Sequence, residues 1–280
     1  MEKRFTPRTS SKLQAKKRRI LAAKILTALI VIVVFVSGLS WLSFADAFSV
    51  REVRVQGNES VRARAIEAAV LLQTAGAYAS IFSKQNVALY PSDHLQKVLV
   101  FDFPRIKSVG IDRKVTQSAA VFTVTERKPY ALWCKEALSD EKEHGRCYYL
   151  DEEGFAFERA AVDVPESGEH IVFLGGTLSE RGNPIRGTLN PEQFGALRAL
   201  LLGLEESFGV RVQEISINGT EASIFVAPGW ELKIALDKSL EAVLANLSAV
   251  LGEYGLLGHP DNIEYIDLRF DERAYYKLRE

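Results

Sequence analysis

The chain has 280 residues, of which 47% are hydrophobic and 25% charged, a balance that excludes a disordered polypeptide and allows one to three domains. The net charge of −1 hides an asymmetry: residues 1–24 carry nine basic side chains against Glu2 alone, leaving 26 basic and 35 acidic side chains in the remainder. The basic head directly precedes an apolar run, so it is read as a membrane-topology signal and not as a nucleic-acid-binding arm.

That run, "ILTALIVIVVFVSGLSWLSFA" from Ile25 to Ala45, is 21 residues without a charge. As a helix it spans about 31 Å, the thickness of a bilayer's hydrocarbon core. Its length exceeds a signal-peptide core, which predicts an uncleaved transmembrane helix over 25–45. Residues 1–24 then form a cytoplasmic tail, and the rest of the chain lies outside, with Trp41 at the outer interface.

After the span, Val50, Val53 and Val55 alternate with charged residues as a surface strand, and Gly57-Asn58 makes a turn. Ser60 is the expected N-cap of a helix through about Gln73, with Val61, Ala65, Ile66, Ala69, Val70 and Leu72 as its apolar stripe. Ser92 opens a second helix carrying Leu95, Val98 and Leu99, and Pro104 ends that segment. "RIKSVGIDRK" and "AAVFTVTERKP" follow as two strands joined near Thr116–Ser118. Strand, helix, helix, strand, strand is enough to close a small three-stranded sheet under two helices.

From Tyr130 strands dominate. "YALWC" and "CYYLD" flank a charged loop, and "FAFE" and "EHIVFLGG" follow. Asn190-Pro191-Glu192-Gln193 starts a helix whose apolar positions run from Phe194 to Phe208, with Gly209 closing it. "VQEISING", "ASIFVAP" and "WELKIAL" read as three consecutive antiparallel strands. A further helix spans about Asp237 to Tyr254, with Leu240, Val243, Leu244, Leu247 and Leu251 inward. The chain closes on an alternating strand over 263–270 and a second alternation from Ala274 to Leu278.

Cys134 and Cys147 lie on the two strands that flank the charged loop; if those strands pair, the cysteines sit within disulfide reach and would stay oxidised outside the cytoplasm. No metal or cofactor site is expected: His94, His144, His170 and His259 lack ligand spacing, and neither an HExxH nor a GxSxG motif occurs. Asp151-Glu152-Glu153 before Gly154 reads as a turn. Three Asn-x-Ser/Thr sequons, at Asn58, Asn218 and Asn246, keep open an alternative: a membrane-anchored exported enzyme of cell-wall or glycan metabolism.

Taken in order, these segments resemble the FtsQ/DivIB family of bacterial cell-division proteins. The carrying motifs are V-x-G-N (Val55, Gly57, Asn58), P-x-I (Pro104, Ile106), E-R-x-P (Glu126, Arg127, Pro129), the hydrophobic-D-x-x-G stretch in "YYLDEEGFAF", and D-L-R (Asp267, Leu268, Arg269). The resemblance implies an α+β fold with one transmembrane helix, a POTRA-like domain of order β-α-α-β-β over 46–128, and a mostly antiparallel β domain with two helices over 129–280. It implies a non-enzymatic scaffold of the division septum, without cofactor or small-molecule substrate, that binds the bitopic proteins FtsB and FtsL. Carried over, partner contact falls on the terminal strand edge at Arg269, Phe270, Tyr275, Tyr276 and Leu278. This chain departs from the family at Asp271, Glu272 and Arg273, where small residues are commoner, and in its cysteine-flanked loop.

Overall fold

The computed structural model describes residues 11–135, 147–160, 170–178, 183–227, 229–253, 256, 260–270 and 273–279. The loop between the two cysteines, with His144, and also Tyr254, His259, Asp271 and Glu272 lie outside the described residues. The described chain divides into two compact units. One holds residues up to Phe101 with Ser108–Thr125; the other holds Asp102–Lys107 with the residues from Glu126 on.

The first unit begins with helix α1, Ser11–Ser43. Among the described residues it is the one helix long and apolar enough to cross a membrane, and none of its apolar window is buried by protein. The helix extends the expected span toward the basic head and stops two residues short of Ala45, where a single 3-10 turn over Asp46–Phe48 begins. Strand β1 (Glu52–Gln56), helix α2 (Ala63–Thr74), a short hairpin of β2 (Ala77–Tyr78) and β3 (Phe82–Ser83), helix α3 (Ser92–Asp102), β4 (Ile106–Lys114) and β5 (Ala119–Glu126) follow. The sheet order is β1-β5-β4, with β1 parallel to β5. Ile66, Val70, Leu95, Leu99 and Phe122 of this unit are fully buried. Gly57 is required at the end of β1: its φ is +78°, and a Cβ there would stand 2.4 Å from the Val124 carbonyl oxygen.

Two expectations for α2 need correction. Its N-cap is Arg62 and not Ser60, and the Arg62 side chain makes no capping hydrogen bond. Leu72 is exposed, because at 100° per residue it lies roughly opposite Val70, which faces inward.

The second unit is one nine-stranded sheet of order β14-β13-β12-β11-β10-β9-β6-β7-β8. Its strands are β6 (Ala131–Cys134), β7 (Cys147–Leu150), β8 (Ala156–Arg159), β9 (Ile171–Gly175), β10 (Val212–Asn218), β11 (Glu221–Val226), β12 (Glu231–Ala235), β13 (Ile263–Asp267) and β14 (Tyr275–Leu278). Helices α4 (Pro191–Phe208) and α5 (Leu240–Glu253) bring their apolar stripes to the same core. The terminal strand expected over 263–270 ends at Asp267, and Phe270 lies exposed in the turn beyond it.

The strand register shows why one face is buried. Tyr148, Trp133, Phe173, Ile215, Ile224, Leu232, Ile266 and Tyr276 stand opposite one another across eight strands. The row on the other face reads Cys147, Cys134, Leu174, Ser216, Ser223, Lys233, Asp267 and Tyr275. Period-two alternation thus sends the apolar set to the helices and, beyond the cysteine end, a polar set to the opposite face. The strands are not all antiparallel: β9 is parallel to both β6 and β10, and β13 is parallel to β12.

Capping follows the sequence. Asn190 Oδ1 accepts hydrogen bonds from the N–H groups of Glu192 and Gln193, and Gly209 closes α4 at φ +65°. Ser239 Oγ accepts from the Ala242 N–H ahead of α5, which begins at Leu240 and not near the expected Asp237.

Two linked features brace the cysteine end of the sheet. Cys134 and Cys147 pair in register, and a disulfide joins them. Arg127 and Asp151 form an ion pair with side chains 10% and 6% exposed, and the Arg127 guanidinium stacks 3.9 Å from the Phe155 ring centroid. Asp151 Oδ1 also accepts from the N–H groups of Glu153 and Phe155, so the acidic cluster is a turn, as the sequence suggested. Gly154 completes it at φ +76°, where a Cβ would stand 3.0 Å from the Phe194 ring. Glu126 and Glu158 both pair with Arg105.

Two outcomes are expected. Arg127→Ala leaves a buried carboxylate unpaired and lowers the unfolding free energy of the detergent-solubilised chain by about 3 kcal/mol, measured by denaturant titration. Alkylation followed by mass measurement should label no cysteine before reduction and two after it, and the Cys134→Ser, Cys147→Ser double variant should lose about 3 kcal/mol.

Candidate partner-binding edge

β13 and β14 form an antiparallel hairpin at one end of the large sheet. Among the described residues β14 pairs with β13 alone, so its outer edge carries no strand. The direction of its backbone groups follows from one bond. The Arg279 N–H donates to the Asn262 carbonyl at 2.7 Å, toward β13. Alternation then turns Tyr275 and Lys277 the same way and points the N–H and C=O groups of Tyr276 and Leu278 into the open edge.

The five residues singled out in sequence divide into three kinds. Phe270, Tyr275 and Leu278 are exposed at 49%, 46% and 43%. Phe270 and Tyr275 pack edge to face, their ring centroids 5.3 Å apart. Tyr276 is half-buried against the helix-side core, opposite Ile266. Arg269 is engaged within the chain: its Nη2 and Nε donate to Asp267, and its Nη1 donates to Glu221 at 2.6 Å. Arg269 therefore braces the hairpin turn against β11.

The D-L-R motif is legible in this geometry. Asp267 and Arg269 stand two residues apart and meet, while Leu268 between them is buried and its N–H donates to the Lys233 carbonyl. Lys238 Nζ donates to the Leu268 and Phe270 carbonyls, which holds the turn from the α5 side. Burial would raise the Asp267 pKa, but the hydrogen bonds and charge of Arg269, with Lys233 beyond, outweigh it and leave the carboxyl below its ordinary value. The Arg269 guanidinium is correspondingly held more firmly protonated.

Sequence reasoning missed Glu221, whose carboxylate lies 48 residues before its partner Arg269, and Phe225, which is exposed on the polar face. The β11 alternation was a signal for Phe225; none existed for Glu221. On that face Glu214 lies in register between Val172 and Phe225, and burial raises its pKa. Of the histidines, His94 lies 3.4 Å from Gln73 and His170 packs edge to face on Tyr149. No group of three or more metal-ligating side chains occurs among the described residues.

The fold is α+β, with one apolar N-terminal helix followed by a small sheet unit and a large, mostly antiparallel sheet that ends in an open strand. A curated relative, the cell division protein FtsQ of Burkholderia pseudomallei (strain K96243), is 24% identical over 252 residues, covering 89% of this chain and 88% of its own length. That coverage reaches both units and supports the resemblance to the FtsQ/DivIB family carried by the motifs. No family model matches the chain.

Asp267 sets a pH dependence. Its folded-state pKa is depressed, so the stability it adds is complete above the unfolded value of about 3.9 and fades as pH falls through the lower folded value. The stability gap between the native chain and Asp267→Asn should therefore be widest above about pH 5 and close progressively below pH 4, as measured by denaturant midpoints across that range.

Proposed function

We propose that this chain is a membrane-anchored, non-enzymatic scaffold of a bacterial division complex, and that it receives a partner strand along β14. The observation that carries the reading is the open edge. A strand held on one side by β13 turns outward backbone groups, Leu278's among them, to an edge that no strand among the described residues covers, flanked by exposed Phe270, Tyr275 and Leu278. An added strand satisfies those groups, and the side chains beside it give selectivity. Such an interaction needs no reactive residue. The likeness to a cell division protein supports the cellular setting, and the basic head before α1 supports a cytoplasmic N-terminus. Partners of the FtsB and FtsL type, themselves single-pass proteins, suit a binder anchored in the same membrane, and accumulation at the septum follows from joining them.

An exposed, unpaired strand edge is an aggregation hazard unless it is guarded or occupied. Here the guards are Lys277, paired with Glu264, and Arg279, which donates to the Gly229 carbonyl. They leave the outer edge of β14 without a paired strand among the described residues.

Leu278→Pro tests the reading cleanly. It removes an outward N–H without removing a bond to β13, and proline is tolerated on an edge whose N–H faces solvent. Its affinity for the FtsB/FtsL-type partners of the same organism should fall at least tenfold, about 1.4 kcal/mol, while Leu278→Ala loses less and the thermal midpoint is kept. Unchanged affinity for Leu278→Pro would remove the terminal edge from the interaction.

A further inference from the structure

The end of α1 does not simply lead into the first unit; it is docked against the β2–β3 hairpin of that unit. Ser40 Oγ donates to the Ile81 carbonyl at 2.6 Å, the Ser83 N–H donates to Ser43 Oγ at 3.2 Å, and Asn86 Nδ2 donates to the Ser43 carbonyl at 3.2 Å. Ser43, Ser83 and Asn86 are buried, so the two bonds to Ser43 are shielded from competition by water, while the Ser40 bond lies at the surface. The level of the hairpin relative to the membrane follows. Ser40 lies three residues before the end of α1, about 4.5 Å back along its axis, and five before the end of the charge-free run at Ala45. The tip of the hairpin is thus held alongside the outer end of the span and not above it.

The composition of the segment suits that position. From Ala68 to Ser92 the sole charged side chain is Lys84, within a remainder of the chain that is strongly acidic. Tyr78, Ile81 and Leu89 are exposed there, as are Phe44 and Phe48 at the end of the anchor. Lys84 lies 5.8 Å from the Tyr78 ring centroid, an aromatic and a cation together at the depth where both are favoured. The turn that projects Ile81 is built from Ala79 and Ser80 at φ +47° and +61°, a left-handed pair that non-glycine residues rarely adopt, and it is closed by the Ile81 N–H on the Tyr78 carbonyl.

We propose that the β2–β3 hairpin is a second membrane contact: its tip, with Phe44 and Phe48, lies in the headgroup–acyl boundary of the outer leaflet and fixes the first unit upright on the bilayer. The inference rests on the reading of α1 as a membrane anchor. The occupant is lipid, because the patch continues the lipid-facing surface of α1 and is ringed by aromatic side chains, the hairpin carries Lys84 and no acidic group, and Asp46, between Phe44 and Phe48, is paired with Arg51.

The test uses the full chain carrying Trp41→Phe, reconstituted in vesicles of phosphatidylethanolamine and phosphatidylglycerol with or without lipids brominated near the headgroup end of the acyl chains. Trp133 and Trp230 are buried and supply a constant background. Single tryptophans are placed at Ile81 and, should that variant fold poorly, at Leu89. Arg64→Trp, in the first turn of α2 beyond the far end of β1, is the aqueous control, and Val31→Trp, probed with deeply brominated lipid, reports insertion of α1. A tryptophan held roughly 5–10 Å deep should lose about half of its emission to the shallow quencher, while Arg64→Trp loses none. If Val31→Trp is quenched but Ile81→Trp and Leu89→Trp are not, the hairpin contact is wrong and the anchor stands. A blue-shifted, unquenched Ile81→Trp means that protein covers the tip, and it overturns the lipid contact. If Val31→Trp is not quenched, the anchor reading fails and this inference fails with it.

Discussion

The burial of the helix-side face of the large sheet is the constraint on which the second unit depends. A row of apolar side chains from Tyr148 to Tyr276 crosses eight strands, and α4 and α5 supply the cover. Because side chains alternate with period two, a slip of one residue in any strand would send that strand's apolar set to the polar face. Register in the terminal hairpin is therefore fixed from within: Ile266 and Leu268 are buried in the core that also holds Trp133 at the cysteine end. The outer edge of β14 can stay unpaired without fraying because its inner side is held to β13, and Tyr276 reaches the core across it.

The same economy explains the polar motifs. Arg127 with Asp151 and Arg269 with Asp267 and Glu221 are charges placed where the chain turns out of the sheet. Each arginine holds a turn that hydrophobic burial does not reach. A buried pair of this kind adds little net stability against an apolar replacement, but removing one partner is costly. Turn geometry, and not stability as such, is what these residues secure.

Much of this was legible in the sequence, and the reason differs by element. The anchor, α4 with its Asn190 cap and Gly209, and the alternation of β10, β11 and β12 rest on local signals, so they were readable. Gly57 and Gly154 announced turns whose tight contacts with the Val124 carbonyl and the Phe194 ring only the fold displays. The non-local pairings were not readable: β9 between β6 and β10, and Glu221 beside Arg269, bring together residues far apart in the chain. Leu72 was misread because apolarity was counted without its angle on the helix. At the candidate edge, the exposure of Tyr275 and Leu278 could be expected from a terminal strand, whereas alternation would put Phe270 on the buried side with Ile266 and Leu268, and it is exposed because β13 ends at Asp267. The diversion of Arg269 into an internal brace could not, since it depends on where β11 lies.

One consequence concerns how such a sheet comes together. Strand β9 is inserted between two groups that are contiguous on their own, β8-β7-β6 and β10-β11-β12-β13-β14. Both of its pairings are parallel, and each joins segments about forty residues apart, a non-local contact whose loop-closure entropy must be met before the pairing forms. Without β9, the described strands of the unit form two half-sheets, with the facing edges of β6 and β10 open as well. The strand edge proposed to receive a partner is then indistinguishable, in backbone terms, from the raw edges of β6 and β10. Docking of β9 is what leaves β14 and β8 as the outermost described strands, so the edge of β14 is set apart from those of β6 and β10 only once the sheet's middle is closed.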